Sequence, residues 1–213
     1  MPEFVRALPL ALFPPVHWWV EALDTSTYID MERPYHKQTL RNRISILTSN
    51  GRLHLTVPVQ STGGIPTPMR EVRLADGKWR HEHLYAIRSA YGRAAYFEHY
   101  YPMIEACYKT AATHLSELCR MSLEIVLQQC AKKGVAIHTE KPMDAQVDEP
   151  MTRQLSLGLE PAYAGIAEPG YPQAFSDRFE FQHNLSCIDL LMNKGPQSID
   201  YILFIKNATH PKG

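Results

Sequence analysis

The apolar residues of this chain change their period at Asp76, and that switch limits the fold more than any single motif. Before it, they come in short β-branched runs punctuated by Pro and Gly, the pattern of strands and turns. After it, they recur at helical spacing. A chain of 213 residues with this order predicts one α/β domain. We expect a mixed sheet built mainly from residues 5–74, rejoined by 135–139, and covered by helices from the second half. The domain spans 1–213, with a core over 8–203 and a tail over 204–213.

Val5–Leu12 reads as a buried strand that Pro14 and Pro15 stop, and Pro15 suits the start of a short helix through Leu23. Tyr28–Met31 reads as a second strand. Asn42–Leu47 and Arg52–Val57 flank Ser49-Asn50-Gly51, a strong hairpin signal. Gln60–Pro68 is a loop, and Glu71–Leu74 another short strand. Trp79, His83, Ile87 and Tyr91 share one face of a helix that ends near Gly92. Pro102 suits the first turn of a next helix, reaching Thr113. Ser116 is placed to cap a third, whose stripe is Leu115, Cys119, Ser122, Val126 and Cys130, stopped by Gly134. Residues 140–183 lack periodicity and read as a long loop. Ser186 caps a helix through Asn193, closed by Gly195, and Pro196 starts a last one.

Charge narrows the partners. Lys and Arg together number 22, as do Asp and Glu, so the net charge is zero. That argues against non-specific binding to nucleic acid or to an anionic membrane, while leaving room for a small basic site. No stretch of apolar residues is long enough to insert in a membrane, and the N-terminus lacks the marks of a signal peptide. Cys107, Cys119, Cys130 and Cys187 are too far apart for a CxxC clip or zinc spacing. They read as buried reduced thiols, which implies a cytoplasmic protein without a metal. No Gly-rich nucleotide loop, nucleophile elbow or metalloprotease motif occurs, so we expect no cofactor.

The densest polar stretch runs from Asp30 to Arg43. Lys37, Arg41 and Arg43 suit the phosphate or carboxylate of an anionic small-molecule substrate, Arg as a fork and Lys as a point charge. Tyr35, Gln38 and Asn42 add hydrogen-bonding groups. Glu32 suits a general base, and His36 suits acid–base work near neutral pH. An ordinary solvated connection would have the same composition. His83 is either a catalytic base or a satisfied core histidine. Tyr91 opens an aromatic series through Tyr108 that serves equally as core, as a pocket lining or as a surface for oligomerisation. Ser186 and Asp189 have plain helix-capping spacing.

Several of these pieces together resemble the WbqC-like family of bacterial proteins. They are Leu12-Phe-Pro-Pro-Val-His-Trp18, then Glu32-x-x-Tyr-His-Lys-Gln-x-x-Arg-Asn-Arg43, and Asn50-Gly51 before Leu55-Thr-Val-Pro58. Trp79-x-x-x-His83, Ser89-Ala-Tyr91, Phe97-x-x-Tyr100-Tyr101 and Leu185-Ser186-x-x-Asp189 follow in the same order. Leu40 stands where relatives often carry an aromatic residue, and Trp18-Trp19 where a Tyr-Phe pair is common. Some members are linked to O-antigen and other surface-polysaccharide genes. The resemblance therefore implies a cytoplasmic transferase that moves an acyl or aminoacyl group, from an acyl-carrier-type donor, onto a nucleotide-linked amino sugar. It places Glu32, Tyr35, Lys37, Gln38, Arg41, Asn42, Arg43, His83, Tyr91 and Asp189 at matched polar positions. Glu32, His83 and Tyr91 then stand as catalytic candidates, with the other members of the 35–43 stretch as substrate ligands. Two other readings compete with it: a non-catalytic binding or assembly protein, and a nucleotidyltransferase-like nucleotide binder. The second lacks the expected HxGH turn.

Overall fold

A computed structural model describes residues 4–24, 26–30, 32–138, 141, 145–149 and 168–209. Much of the expected 140–183 loop lies outside the described residues. Strand β1 (Phe4–Pro9) pairs in parallel with β2 (Thr27–Asp30) on one side and with the two-residue β5 (Gln146–Val147) on the other. Strands β3 (Arg43–Thr48) and β4 (Gly51–Thr56) form a separate antiparallel hairpin. The fold class is the α/β one expected, but its strands divide into two small sheets. Of the expected 135–139 strand, residue 139 lies outside the described residues and 135–138 supply no full strand. They contribute one bridge, His138 to Tyr28, with the Ile29 amide donating to the His138 carbonyl at 3.1 Å.

Helix α1 (Val16–Ala22) follows Pro15 and is buried on every face. Such a helix belongs in the middle of a core. It packs against β2 and against the last helix, α6 (Ser198–Thr209). Trp18 and Trp19 meet edge to face with centroids 4.9 Å apart, and the Trp18 indole donates to the Pro9 carbonyl. Glu21 is tolerated inside because Arg6 reaches it at 2.5 Å.

Helices α2 (Trp79–Tyr91), α3 (Phe97–Lys109) and α4 (Leu115–Lys132) follow the period change. Two of their boundaries differ from expectation. Helix α3 starts at Phe97, so Pro102 lies inside it rather than in its first turn. The start is fixed from outside, where the Tyr96 amide donates to the Met192 carbonyl at 3.0 Å. Helix α4 is capped at His114, not Ser116: Glu117 reaches back to accept from the amides of Thr113 (2.8 Å) and His114 (3.1 Å). The capping of α5 (Cys187–Lys194) agrees with expectation, since the Ser186 hydroxyl accepts from the Ile188 amide. All four cysteines are free and buried, with burial pushing the Cys107 and Cys187 thiols up to about 12.

Gly195 ends α5 at φ +56, and a Cβ built there would lie 2.5 Å from the Tyr96 ring. Gly134 ends α4 at φ +68 in open space. Gly134→Ala should therefore cost only the backbone penalty, about 1 kcal/mol. Gly195→Ala adds overpacking and should cost about 2–4 kcal/mol. The midpoints of urea unfolding check the difference; equal losses would show that the Tyr96 contact does not matter.

Candidate functional site

The stretch between β2 and β3 is a loop tied down at several points. The Tyr35 amide donates to the Thr67 carbonyl at 2.8 Å, and the Leu12 amide donates to the Leu40 carbonyl at 3.0 Å. Thr39 closes a turn by donating its hydroxyl to the His36 carbonyl, and Gln38 takes φ +57 inside that turn. His36, Lys37 and Gln38 are exposed at its tip. Arg41 is 1% exposed, and its guanidinium lies 3.4 Å from the Thr39 hydroxyl.

Burial draws the Arg41 guanidinium down to about 10, with the Arg33 charge adding to the effect. It stays cationic at neutral pH. Burial raises the pKa of the half-buried Tyr35 phenol, while the nearby Arg41 charge and a hydrogen bond with Asn42 oppose the rise. Asn42 is itself buried, and its amide donates to the Val57 carbonyl at 2.9 Å. Tyr35, Arg41 and Asn42 thus come together. Arg43 lies on the β3 strand, where its Nε donates to the Thr56 hydroxyl. Glu32 is exposed and pairs with Arg70.

His83 faces the same end of the hairpin from α2. Its ring is hydrogen-bonded to the Thr56 backbone and lies 3.1 Å from the Tyr108 hydroxyl. Trp79 and Tyr108 both meet it edge-on. Burial pushes its pKa down to about 4, so it is a neutral imidazole at physiological pH. The tautomer that donates to a carbonyl leaves Nδ1 to accept from Tyr108.

Tyr91 lies elsewhere, at the far end of β3. The Leu47 amide donates to its hydroxyl at 3.2 Å. Asn42 and Leu47 are five residues apart, so about 17 Å of strand separates the two places. The Tyr91 hydroxyl faces Asp189, which is fully buried on α5. Tyr171 donates to that carboxylate at 2.6 Å and Gln173 at 3.2 Å. Burial nevertheless raises Asp189 to about 6, against these hydrogen bonds. The three catalytic candidates therefore do not form one constellation: Glu32, His83 and Tyr91 lie in three surroundings.

Sequence reasoning missed another buried acid. Glu168 accepts from the Asn184 amide (2.9 Å) and the Tyr201 hydroxyl (3.2 Å). His17 Nε2 is 3.2 Å and His183 Nδ1 3.5 Å from its Oε2. Its partners are scattered over the chain, and no local spacing announces them. Among the described residues, no group of three or more His, Cys, Asp or Glu side chains is arranged to hold a metal ion. Nor is any described helix long and apolar enough to cross a membrane.

A model of the WbqC-like protein family matches residues 12–149 and 154–201, most of the chain. The chain belongs to the WbqC-like protein family. It is also similar to the uncharacterized protein Rv1507c of Mycobacterium tuberculosis. The two are 26% identical over 206 residues, covering 84% of this chain and 87% of that protein. No solved structure matches. The matched residues take in the 32–43 loop, His83, Tyr91 and Asp189, so all three surroundings fall within the family's span.

Asp189 and His83 should bend the stability curve in opposite senses. Asp189 titrates at about 6 when folded, above its ordinary 3.8. The folded state then holds the extra proton, and stability is lost as pH rises from 4 to 6. Folded His83 titrates at about 4, below its ordinary 6.5. It contributes stability above pH 6.5 that is lost as pH falls toward 4. Each term is on the order of 2–3 kcal/mol. Urea unfolding from pH 4 to 7 should show Asp189→Asn gaining on wild type as pH rises, and His83→Gln gaining as pH falls. Parallel curves would contradict both shifts.

Proposed function

We propose that this protein is a transferase acting on a phosphorylated or nucleotide-linked substrate of the amino-sugar type, in surface-polysaccharide biosynthesis. The observation that supports it best is Arg41, a buried guanidinium 3.4 Å from the Thr39 hydroxyl and near enough for its charge to act on the exposed His36. A cation kept charged away from bulk water attracts an arriving anion more strongly than a surface one. Lys37 and Arg41 would hold the anionic group. Tyr35, Gln38 and Asn42 would orient it, and Arg43 would stand at the edge.

Glu32 is the exposed candidate for the base that takes a proton from an acceptor amine or hydroxyl. His83, neutral and walled in by Trp79 and Tyr108, suits a role in positioning the Thr56 end of the hairpin. An acyl group arriving activated on a thioester would need no protein nucleophile. The burial of His83 and Tyr91 also favours a second reading, in which the protein binds such a ligand without catalysis.

Thermal unfolding with a uridine-diphosphate amino sugar tests the binding site. A ligand at a hundred times its Kd stabilises a folded protein by about 2.7 kcal/mol. Wild type should show a corresponding rise in Tm. Lys37→Ala should reduce the rise, and Arg41→Lys, which keeps the charge but loses the fork, should reduce it further. Unchanged rises in both variants would end the role given to this loop. Turnover of an acyl thioester in the presence of the sugar nucleotide separates the two readings.

A further inference from the structure

A cleft of about 810 Å³ opens at the C-terminal end of α2. That is the size of a site for a nucleotide-sized ligand. One side is the last turn of α2 and the residues after it, with Arg88 and Arg93. The other is the 172–178 segment, with Phe175 and Arg178, and Asn193 comes from α5. The arginines therefore come from two distant parts of the chain.

Helix chemistry explains only one of them. Arg88 lies in the last turn of α2, where a cation offsets the helix dipole, and its guanidinium covers the Tyr101 ring at 4.8 Å. Arg93 lies beyond Gly92, is exposed, and has no ion-pair partner among the described residues. Arg178 is 3.7 Å from its neighbour Asp177, a loose and exposed pair. Counting Asp177, the cleft carries a net charge of +2 from three guanidiniums and one carboxylate.

Two further features belong to a binding site rather than to a chance groove. Phe175 lines the cleft at φ +66, a strained conformation for a bulky residue, and such strain gathers where ligands are held. The strained turn is also anchored from below. Gln173 exchanges two hydrogen bonds with the Gln182 backbone (2.8 and 2.9 Å) and donates to Asp189. Tyr171 adds its own bond to Asp189. The segment that presents Phe175 and Arg178 is thus held in place before any ligand arrives.

We propose that this cleft binds a diphosphate-bearing small molecule, with Arg88, Arg93 and Arg178 on the phosphates and the Phe175 ring against a flat group such as a nucleobase. Two phosphates match the charge, and guanidinium forks match phosphate oxygens. The site shares no residue with the 32–43 loop.

Isothermal titration of the full chain with inorganic pyrophosphate, ADP and adenosine tests it. Pyrophosphate and ADP should bind, ADP more tightly, and adenosine should not. Arg93→Gln and Arg178→Gln, both at exposed side chains, should each weaken pyrophosphate about tenfold, while Lys109→Ala on α3 changes nothing. Phe175→Asn suits the left-handed backbone and removes the ring. It should bring ADP down to the pyrophosphate level and leave pyrophosphate unchanged. No binding of either phosphate compound, or unaltered binding in both arginine variants with normal far-UV circular dichroism, overturns the site. Unaltered ADP binding in Phe175→Asn overturns the place given to the ring.

Discussion

Four parts of the chain meet at the buried carboxylate of Asp189. It projects from α5, accepts from Tyr171 and Gln173 of the preceding segment, and faces Tyr91 of α2. Through Tyr91 it reaches the Leu47 amide of β3. Removing such a carboxylate from water is costly, and burial has raised its pKa to about 6 in spite of the donors around it. The donors are two phenols and an amide, with no cation among those hydrogen bonds. A neutral set of this kind holds direction rather than charge, because each donor must lie at one angle and distance. The hairpin, α2 and the 168–183 segment take their mutual positions from it.

Much of the fold was legible because it rests on local rules. Pro15 before α1, Asn50-Gly51 in the hairpin and Ser186 before α5 act within a few residues, and each lies where expected. Sequence reading failed where distant groups decide. Pro102 looked like a helix start, but the start of α3 is set by Met192, far along the chain. Ser116 looked like a cap, and Glu117 makes the capping bonds instead. The site shows the same division. Tyr35, Arg41 and Asn42 are near in sequence and near in space. Glu168, with His17 and His183, has no local signature at all. Asp189 had the spacing of an ordinary helix-start acid, and only burial distinguishes it from one.

The titrating groups also sort the polar residues by task. His83 is pushed down to about 4 and Asp189 up to about 6, in each case by burial, which disfavours the charged form. Both are inside the protein and bonded to backbone or phenol groups. The residues proposed to meet a ligand are different ones. Lys37 and Arg93 are exposed, and backbone hydrogen bonds tie the segments beside them, Tyr35 to Thr67 and Ala94 to Tyr91. Exposed cations on a pinned scaffold lose little freedom on binding, which is how a modest number of them can hold a phosphate.

The 32–43 loop and the proposed cleft at the end of α2 share no residue. Group transfer requires reacting atoms to approach within about 3.5 Å. Two compact substrates, each confined to its own place, would react only if the two places adjoined. A single reaction served by both would need one long ligand whose reactive end reaches from its phosphate anchor across the hairpin. An acyl group on an extended carrier arm has that form, and a nucleotide-linked sugar lying lengthwise has it in part. If both proposed places serve one reaction, their separation in the chain favours one extended partner and one compact one.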